Sequence, residues 1–296
     1  MGGTEQRGSS ATLFQPSQRP RQLPGLNIAT LNVRSINNKS ACVTDFIASH
    51  NIDIFALQET WHENSESLTL RRAVPAGYSI VEAARSAKSN EAVNNNNGQL
   101  RASGGGVAII YRAELKMKKI STLPIMKTCE RVCCRFSSAN CGDVIVLSLY
   151  RPGSKPLTSE FLLEFTMLLE ALATSRCPLI LLGDLNIHFE LSNNVHVSEF
   201  VDLLSSFDLK QFVQESSHKA GGILDVIIAR NNESVVDISV SESGISDHCF
   251  VTGRLLIKTN CCDSIPIIES RKWNNFSIDA FRDDLLNSRP YNVRRP

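Results

Sequence analysis

The chain has 296 residues, of which 42% are hydrophobic and 21% charged, with a formal net charge of +1. That is room for one large α/β domain with tails and an ordinary globular balance. No apolar run reaches the length of a membrane span, residues 1–22 lack the apolar stretch of a signal peptide, and at this net charge any nucleic-acid contact must come from a local basic face.

Residues 1–24, rich in Ser, Gln, Pro and Arg, are predicted to be a disordered tail. Leu26 to Asn32 alternates as a strand does. Val43, Phe46 and Ile47 then recur at helical spacing within 40–49, and Asp53 to Leu57 reads as a second strand. Residues 84–103, with the run Asn94 to Asn97, read as a long exposed loop; Gly104 to Gly106 lead from it into a strand at Val107 to Tyr111. Val132 to Phe136 and Val144 to Leu149 flank a turn at Asn140 to Gly142 and predict an antiparallel hairpin. Thr158 or Ser159 caps a helix whose apolar face is Leu162, Phe165, Leu168 and Leu172. Leu179 to Leu182 is a buried strand. An amphipathic helix over 198–207 is expected to turn Phe200, Val201, Leu204 and Phe207 inward. Ile223 to Ile228 and Phe250 to Ile257 are late strands. Strands from both halves, with helices outside, predict an α/β sandwich, and the sequence shows no internal repeat.

The nine cysteines are an odd number and fit a reduced, intracellular chain. Cys129, Cys133, Cys134 and Cys141 stand close enough to suggest zinc, but they lie in strand-like runs and are read as small buried hydrophobes, as is the pair Cys261 and Cys262.

Polar residues gather at the ends of the apolar strands, which is where open α/β structures build their sites. Asn32 ends one strand, Glu59 another, Tyr150 a third, and Asp184 and Asn186 a fourth. Asp225 lies between Leu224 and Val226, where a buried carboxylate needs a partner, and Ser246, Asp247 and His248 precede the last strand. Each piece alone reads as a turn or a cap. Together, in order, they read Leu-Asn-Val-Arg-Ser (31–35), Leu-Gln-Glu-Thr-Trp (57–61), Ser-Leu-Tyr-Arg-Pro (148–152), Leu-Gly-Asp-Leu-Asn (182–186), Ile-Leu-Asp-Val-Ile (223–227) and Ser-Asp-His (246–248).

This ordered set resembles the endonuclease/exonuclease/phosphatase superfamily over residues 26–257. Asn-Val-Arg-Ser, Gln-Glu-Thr-Trp, Gly-Gly-Gly-Val-Ala-Ile, Tyr-Arg-Pro and His-x-x-Gly-Gly-x-Leu-Asp are similar to the endonuclease domains of LINE-type (non-LTR) retrotransposons. Ser217 stands where such domains often carry Thr, and Leu224-Asp225-Val226 differs from the Cys-Asp-Arg of inositol phosphatases.

The resemblance implies a DNase I-like four-layer sandwich of two mixed β-sheets flanked by helices. It places the domain at 25–258, with a linker-like tail at 259–296. It implies Mg²⁺-dependent hydrolysis of DNA phosphodiesters, with Mn²⁺ as a substitute, leaving 5′-phosphate and 3′-hydroxyl ends. Glu59 and Asp247 would serve the metal. Asp184 would orient or deprotonate water, and Asn32 and Asn186 would hold Asp184 and the phosphate. Tyr150 would donate to a phosphate oxygen, as would His248, whose tautomer Asp225 would fix. Arg34 and Arg151, with Ser217 and Ser246, are expected to meet DNA phosphates, and Arg112 stands beside a motif in the same way. DNA is the expected partner, a reverse transcriptase accompanies it in an intact element, and the location is intracellular, nuclear where it meets DNA. Two alternatives stay open: another phosphodiesterase or phosphatase with the same site, and a non-catalytic remnant.

Overall fold

The computed structural model describes residues 25–85, 104–138, 142–154, 156–191, 193–231, 234–257 and 277–287. The predicted N-terminal tail and most of the predicted 84–103 loop lie outside them, as do Cys141, Cys261, Cys262 and residues 288–296. The chain divides into two units, Met1–Thr259 and Asn260–Pro296.

In the first unit, β1 (Gly25–Asn32), α1 (Ser40–Ser49), β2 (Ile54–Gln58), α2 (Leu68–Arg72), β3 (Tyr78–Ala83) and β4 (Val107–Arg112) come first. After them come β5 (Lys116–Lys119), β6 (Glu130–Ser138), β7 (Gly142–Tyr150), α3 (Ser159–Ala173) and β8 (Leu179–Asp184). Next are α4 (Val195–Ser206), β9 (Leu209–Gln211), β10 (Asp225–Arg230), β11 (Ser234–Glu242) and β12 (Cys249–Leu256). The second unit contains α5 (Ile278–Asn287).

The strands form two six-stranded sheets, ordered β11-β12-β1-β2-β4-β3 and β5-β6-β7-β8-β10-β9. Each sheet has one parallel pair at its centre, β1 with β2 and β7 with β8, and antiparallel neighbours around it. The helix between the two parallel strands, α1 or α3, makes the crossover that parallel strands require. The two sheets therefore repeat one topology, although their sequences do not repeat.

Alternation along the strands assigns the layers. Ile28, Ile54, Val146, Leu182 and Ile227 pack between the sheets. Leu31, Phe55 and Ile110 face the other way, onto Val43, Phe46 and Ile47 of α1 and Leu70 of α2. Leu147, Leu181 and Val226 face Phe161, Phe165 and Leu168 of α3 and Val197, Phe200 and Leu204 of α4. This is the expected four-layer DNase I-like sandwich.

Local chemistry explains the helix ends. Thr158 caps α3 by accepting from Phe161 N, and Asn194 caps α4 by accepting from His196 N and Val197 N. Starting α4 at Val195 gives its buried stripe as Val197, Phe200 and Leu204, so Val201, expected inward, is 42% exposed at the edge of that stripe. Cys133 faces the helices and Cys134 the inter-sheet core. Neighbours on opposite faces of a strand do not converge on one ion, and burial pushes both thiols up to about 12.

Gly183 sits at φ +148°, and a Cβ there would lie 1.9 Å from Leu149 O of the parallel partner strand. Gly183→Ala should lower stability by about 3 kcal/mol or more, through strain and a forced parting of β7 from β8. Thermal denaturation checks this; an unchanged melting temperature would show that the strands give way at no cost.

Candidate functional site

The inter-sheet face ends in polar residues at one end of the sandwich. Strand parity carries Ile28 to Thr30 and Asn32, Ala56 to Gln58, Val146 to Ser148 and Tyr150, Leu182 to Asp184, and Ile227 back to Asp225. The lower rung is a buried bridge between the sheets. Thr30 Oγ1 donates to Gln58 Oε1 at 3.0 Å, and Gln58 Nε2 donates to Ser148 Oγ at 3.2 Å. Sequence reasoning missed this rung; its signal is a polar residue at a core-facing position of an otherwise apolar strand.

The upper rung is the site. Register sets Asp184 on β8 between Tyr150 on β7 and Asp225 on β10. Asp184 has no exposed surface. Its Oδ2 accepts from Asn32 Nδ2 at 2.8 Å, across the sheets, and from Asn186 Nδ2 at 3.0 Å, while Oδ1 accepts from Asn186 N at 2.8 Å. Asn186 stands at φ +49° and also donates to Arg151 O at 2.8 Å. Burial, and then the charge of Asp225, push the Asp184 carboxyl well above the usual range; His248 and the amide donors of Asn32 and Asn186 pull it back.

Asp225 is equally buried, and its Oδ2 lies 2.8 Å from His248 Nδ1. His248 Nε2 points toward Asp184 Oδ2, 3.9 Å away. Burial disfavours the charged ring, but the hydrogen bond and charge of Asp225 outweigh it, with Asp184 and Asp247 adding, and His248 is raised to about 9. The result is an imidazolium held by one carboxylate and facing another, able to donate from Nε2.

Glu59 follows β2 at φ +50°. Its carboxylate accepts from Asn32 Nδ2 at 2.8 Å and from Trp61 Nε1 at 3.2 Å. Tyr150 hydrogen-bonds it as well; burial, then the Glu59 charge, raise the phenol far above its ordinary value. A half-buried carboxylate oriented by these neutral donors can offer its oxygens to a cation. Asp247 has less to offer: it forms an ion pair with Arg34 and lies 3.3 Å from His218 Nε2. Burial raises Asp247, but Arg34 overrides it and leaves the carboxyl below its usual range. Among the described residues, two groups lie close enough to hold a cation, His218 with Asp247 and His248, and Asp184 with Asp225 and His248; Glu59 belongs to neither.

Several expected phosphate contacts lie elsewhere. Ser217 has no exposed surface, and its Oγ accepts from Leu224 N and Asp225 N, so it sets the start of β10 rather than facing DNA. Ser246 is buried too, donating to Asn32 O at 2.8 Å and accepting from His248 N at 3.2 Å; it ties β12 to β1. Arg151 is 5% exposed and bonds Leu185 O and Asn186 O at 2.6 Å each, bracing the turn that carries Asn186. Arg112 pairs with Asp53 at the opposite end of the first sheet, because β4 runs antiparallel to β2. Arg34 alone of the four arginine and serine candidates at the site, Arg34, Arg151, Ser217 and Ser246, stays exposed at the cleft, its side chain 54% accessible.

His218, not expected as a site residue, packs its ring edge against His248 at 4.7 Å. Ala220 N donates to its Nδ1 at 3.1 Å, which leaves Nε2–H to face Asp247. The cleft has a volume of about 490 Å³, and its walls include Glu59, Tyr150, Asn186, His188, His218 and His248.

The sequence matches the model of the Endonuclease/Exonuclease/phosphatase family over residues 29–248. No curated protein matches it. Among solved structures, the chain is similar to the endonuclease domain of TRAS1, a telomere-specific non-LTR retrotransposon, at 13% identity and TM-score 0.60, over 79% of this chain and 99% of that one. It is also similar to the AP endonuclease LMAP of Leishmania major, at 14% and 0.60, over 79% and 88%. The 3′ phosphatase NExo from Neisseria, bound to a product DNA hairpin, matches at 20% and 0.56, over 77% and 98%.

The His248–Asp225 pair gives a direct test. With folded His248 raised to about 9 against 6.5, its stabilisation is complete below about pH 6.5 and is lost as pH rises through 9. NMR titration of metal-free protein should show this midpoint, and Asp225→Asn should lower it by more than a unit; an unmoved midpoint would remove Asp225 as the cause.

Proposed function

Because the chain belongs to the endonuclease/exonuclease/phosphatase family, whose model spans most of its length, we propose that it hydrolyses DNA phosphodiesters as a divalent-metal-dependent endonuclease, in the manner of retrotransposon target-site nicking. The observation that carries this is the Asn32–Glu59–Asp184–Asn186–His248–Asp225 network at the open end of the two sheets. The likeness in fold to the TRAS1 endonuclease domain supports it.

In this reading a phosphate enters between His248 and Tyr150. His248 Nε2 donates to a phosphate oxygen, with Asp225 holding the ring and its charge. Tyr150 adds a second donor once its hydroxyl turns from Glu59 to the phosphate; its raised pKa keeps the phenol protonated. Asp184, pinned by Asn32 and Asn186, accepts the proton of the attacking water. Its raised carboxyl pKa makes it a better base than a solvated aspartate, and the His248 charge pulls part of that rise back. Glu59 would hold Mg²⁺, a fit supported by its carboxylate oxygens, the hard donors this cation takes, which Asn32 and Trp61 orient by hydrogen bonds. When bound, the cation neutralises the phosphate and stabilises the leaving 3′-oxygen. Asp247 would act through Arg34 and His218, which it contacts directly.

Supercoiled plasmid should be nicked with Mg²⁺ or Mn²⁺ and left intact with EDTA; robust nicking in EDTA would overturn the metal-dependent mechanism. A chain that binds DNA and never nicks would be the non-catalytic remnant instead. Asp184→Asn should cost roughly 10²-fold or more in rate, the scale of a lost general base. Asp225→Asn and His248→Ala should each cost a large factor and their combination little more, since residues acting as a unit are non-additive; multiplicative losses would separate their roles.

A further inference from the structure

The cleft also holds a histidine–carboxylate pair that the reaction does not use. His188 stands two residues past Asn186 and lines the same cleft, its side chain 53% exposed. Its Nδ1 lies 2.6 Å from Glu190 Oε1. Glu190 is anchored in turn, since its Oε2 accepts from Ile223 N at 2.9 Å. The segment is tied to the same strand entry by Phe189 N, which donates to Ile223 O at 3.4 Å. The ring lies so near Gly222 that a Cβ there would come within 3.1 Å of His188 Nδ1. The second glycine of the His-x-x-Gly-Gly segment thus makes room for a side chain two residues past the Gly-Asp-Leu-Asn segment. With Nδ1 engaged, Nε2 is the ring atom left for a ligand, as in the buried pair, where Asp225 holds His248 by Nδ1.

The two pairs differ in one respect. His248 is buried at the base of the cleft, and His188 stands at its open wall. A single phosphate is already served by His248 and Tyr150. A further held histidine at the wall is useful only to a ligand that extends past the reacting phosphate. We propose that His188, oriented by Glu190, binds the phosphate adjoining the reacting one on a polynucleotide strand. This rests on the nuclease reading above and makes the site selective for a polymer backbone over a phosphate monoester.

The test uses the full chain with Asp184→Asn as a non-cleaving parent, and fluorescence anisotropy of a labelled DNA duplex with Mg²⁺. Adding His188→Gln should weaken duplex affinity about tenfold, the scale of one hydrogen bond, and Glu190→Gln should weaken it less. Competition by thymidine 5′-monophosphate should not change. Unchanged duplex affinity overturns the proposal; so does an equal loss for duplex and monophosphate, which would put His188 on the reacting phosphate. Plasmid nicking by the wild-type chain reports the underlying reading separately. Nicking with unaltered duplex affinity in the His188→Gln variant overturns this contact alone, and a parent that binds no duplex overturns both.

Discussion

Asp184 is a carboxylate with no exposed surface, seated between two β-sheets. Removing such a group from water is tolerated only when dipoles and charges replace the solvent. Asn32 supplies one donor from the opposite sheet, Asn186 supplies two from the following turn, and His248 faces it with a positive ring. Each of those residues is held in turn. Ser246 ties the Asn32 backbone to the loop before His248, Arg151 braces the Asn186 turn, and Ser217 fixes the backbone of Asp225. The serines and the arginine expected at DNA thus support the carboxylate centre from behind.

The same requirement explains the backbone. Arg34, Ser35, Glu59, Trp61 and Asn186 all adopt positive φ without being glycine, and all stand at this end of the sheets. Left-handed conformations cost energy at such residues and persist where surrounding bonds over-determine them. At Glu59 the over-determination is visible. Ser35 N and Thr60 N bond across to Glu59 O and Gly106 O, and Trp61 N bonds Gly105 O. The strand ends are thereby stopped from continuing as sheet, and their side chains turn into the cleft.

Charge in the cleft is arranged as histidine–carboxylate pairs of unequal burial: His248 with Asp225, His218 with Asp247, His188 with Glu190. The buried pair favours the charged ring despite its desolvation. In the second, the backbone of Ala220 sets which nitrogen of His218 carries the proton. The third stands open to solvent. In the proposed reading, graded exposure of this kind would let one cleft hold a reacting phosphate while leaving a contact for the chain beyond it.

The sequence by itself determined the sandwich, the residues at the strand ends, and the family. Alternation at Leu26 to Asn32 and helical spacing at Val43, Phe46 and Ile47 are local properties, and the motifs are short and contiguous. It also determined the pairing need of Asp225, because a carboxylate between Leu224 and Val226 announces burial. Weak alternation hid the edge strands β3, β5, β9 and β11, which are short or bear charged residues. The two-fold repeat of sheet topology was hidden as well, since topology can recur without sequence. Tertiary structure alone decided which polar residues meet. Asn32 and Asp184 are 152 positions apart and bond only because β1 and β8 stack face to face. It also turned Ser217, Ser246 and Arg151 inward and sent Arg112 to the far end, because exposure and strand direction are set by packing partners that no local pattern contains.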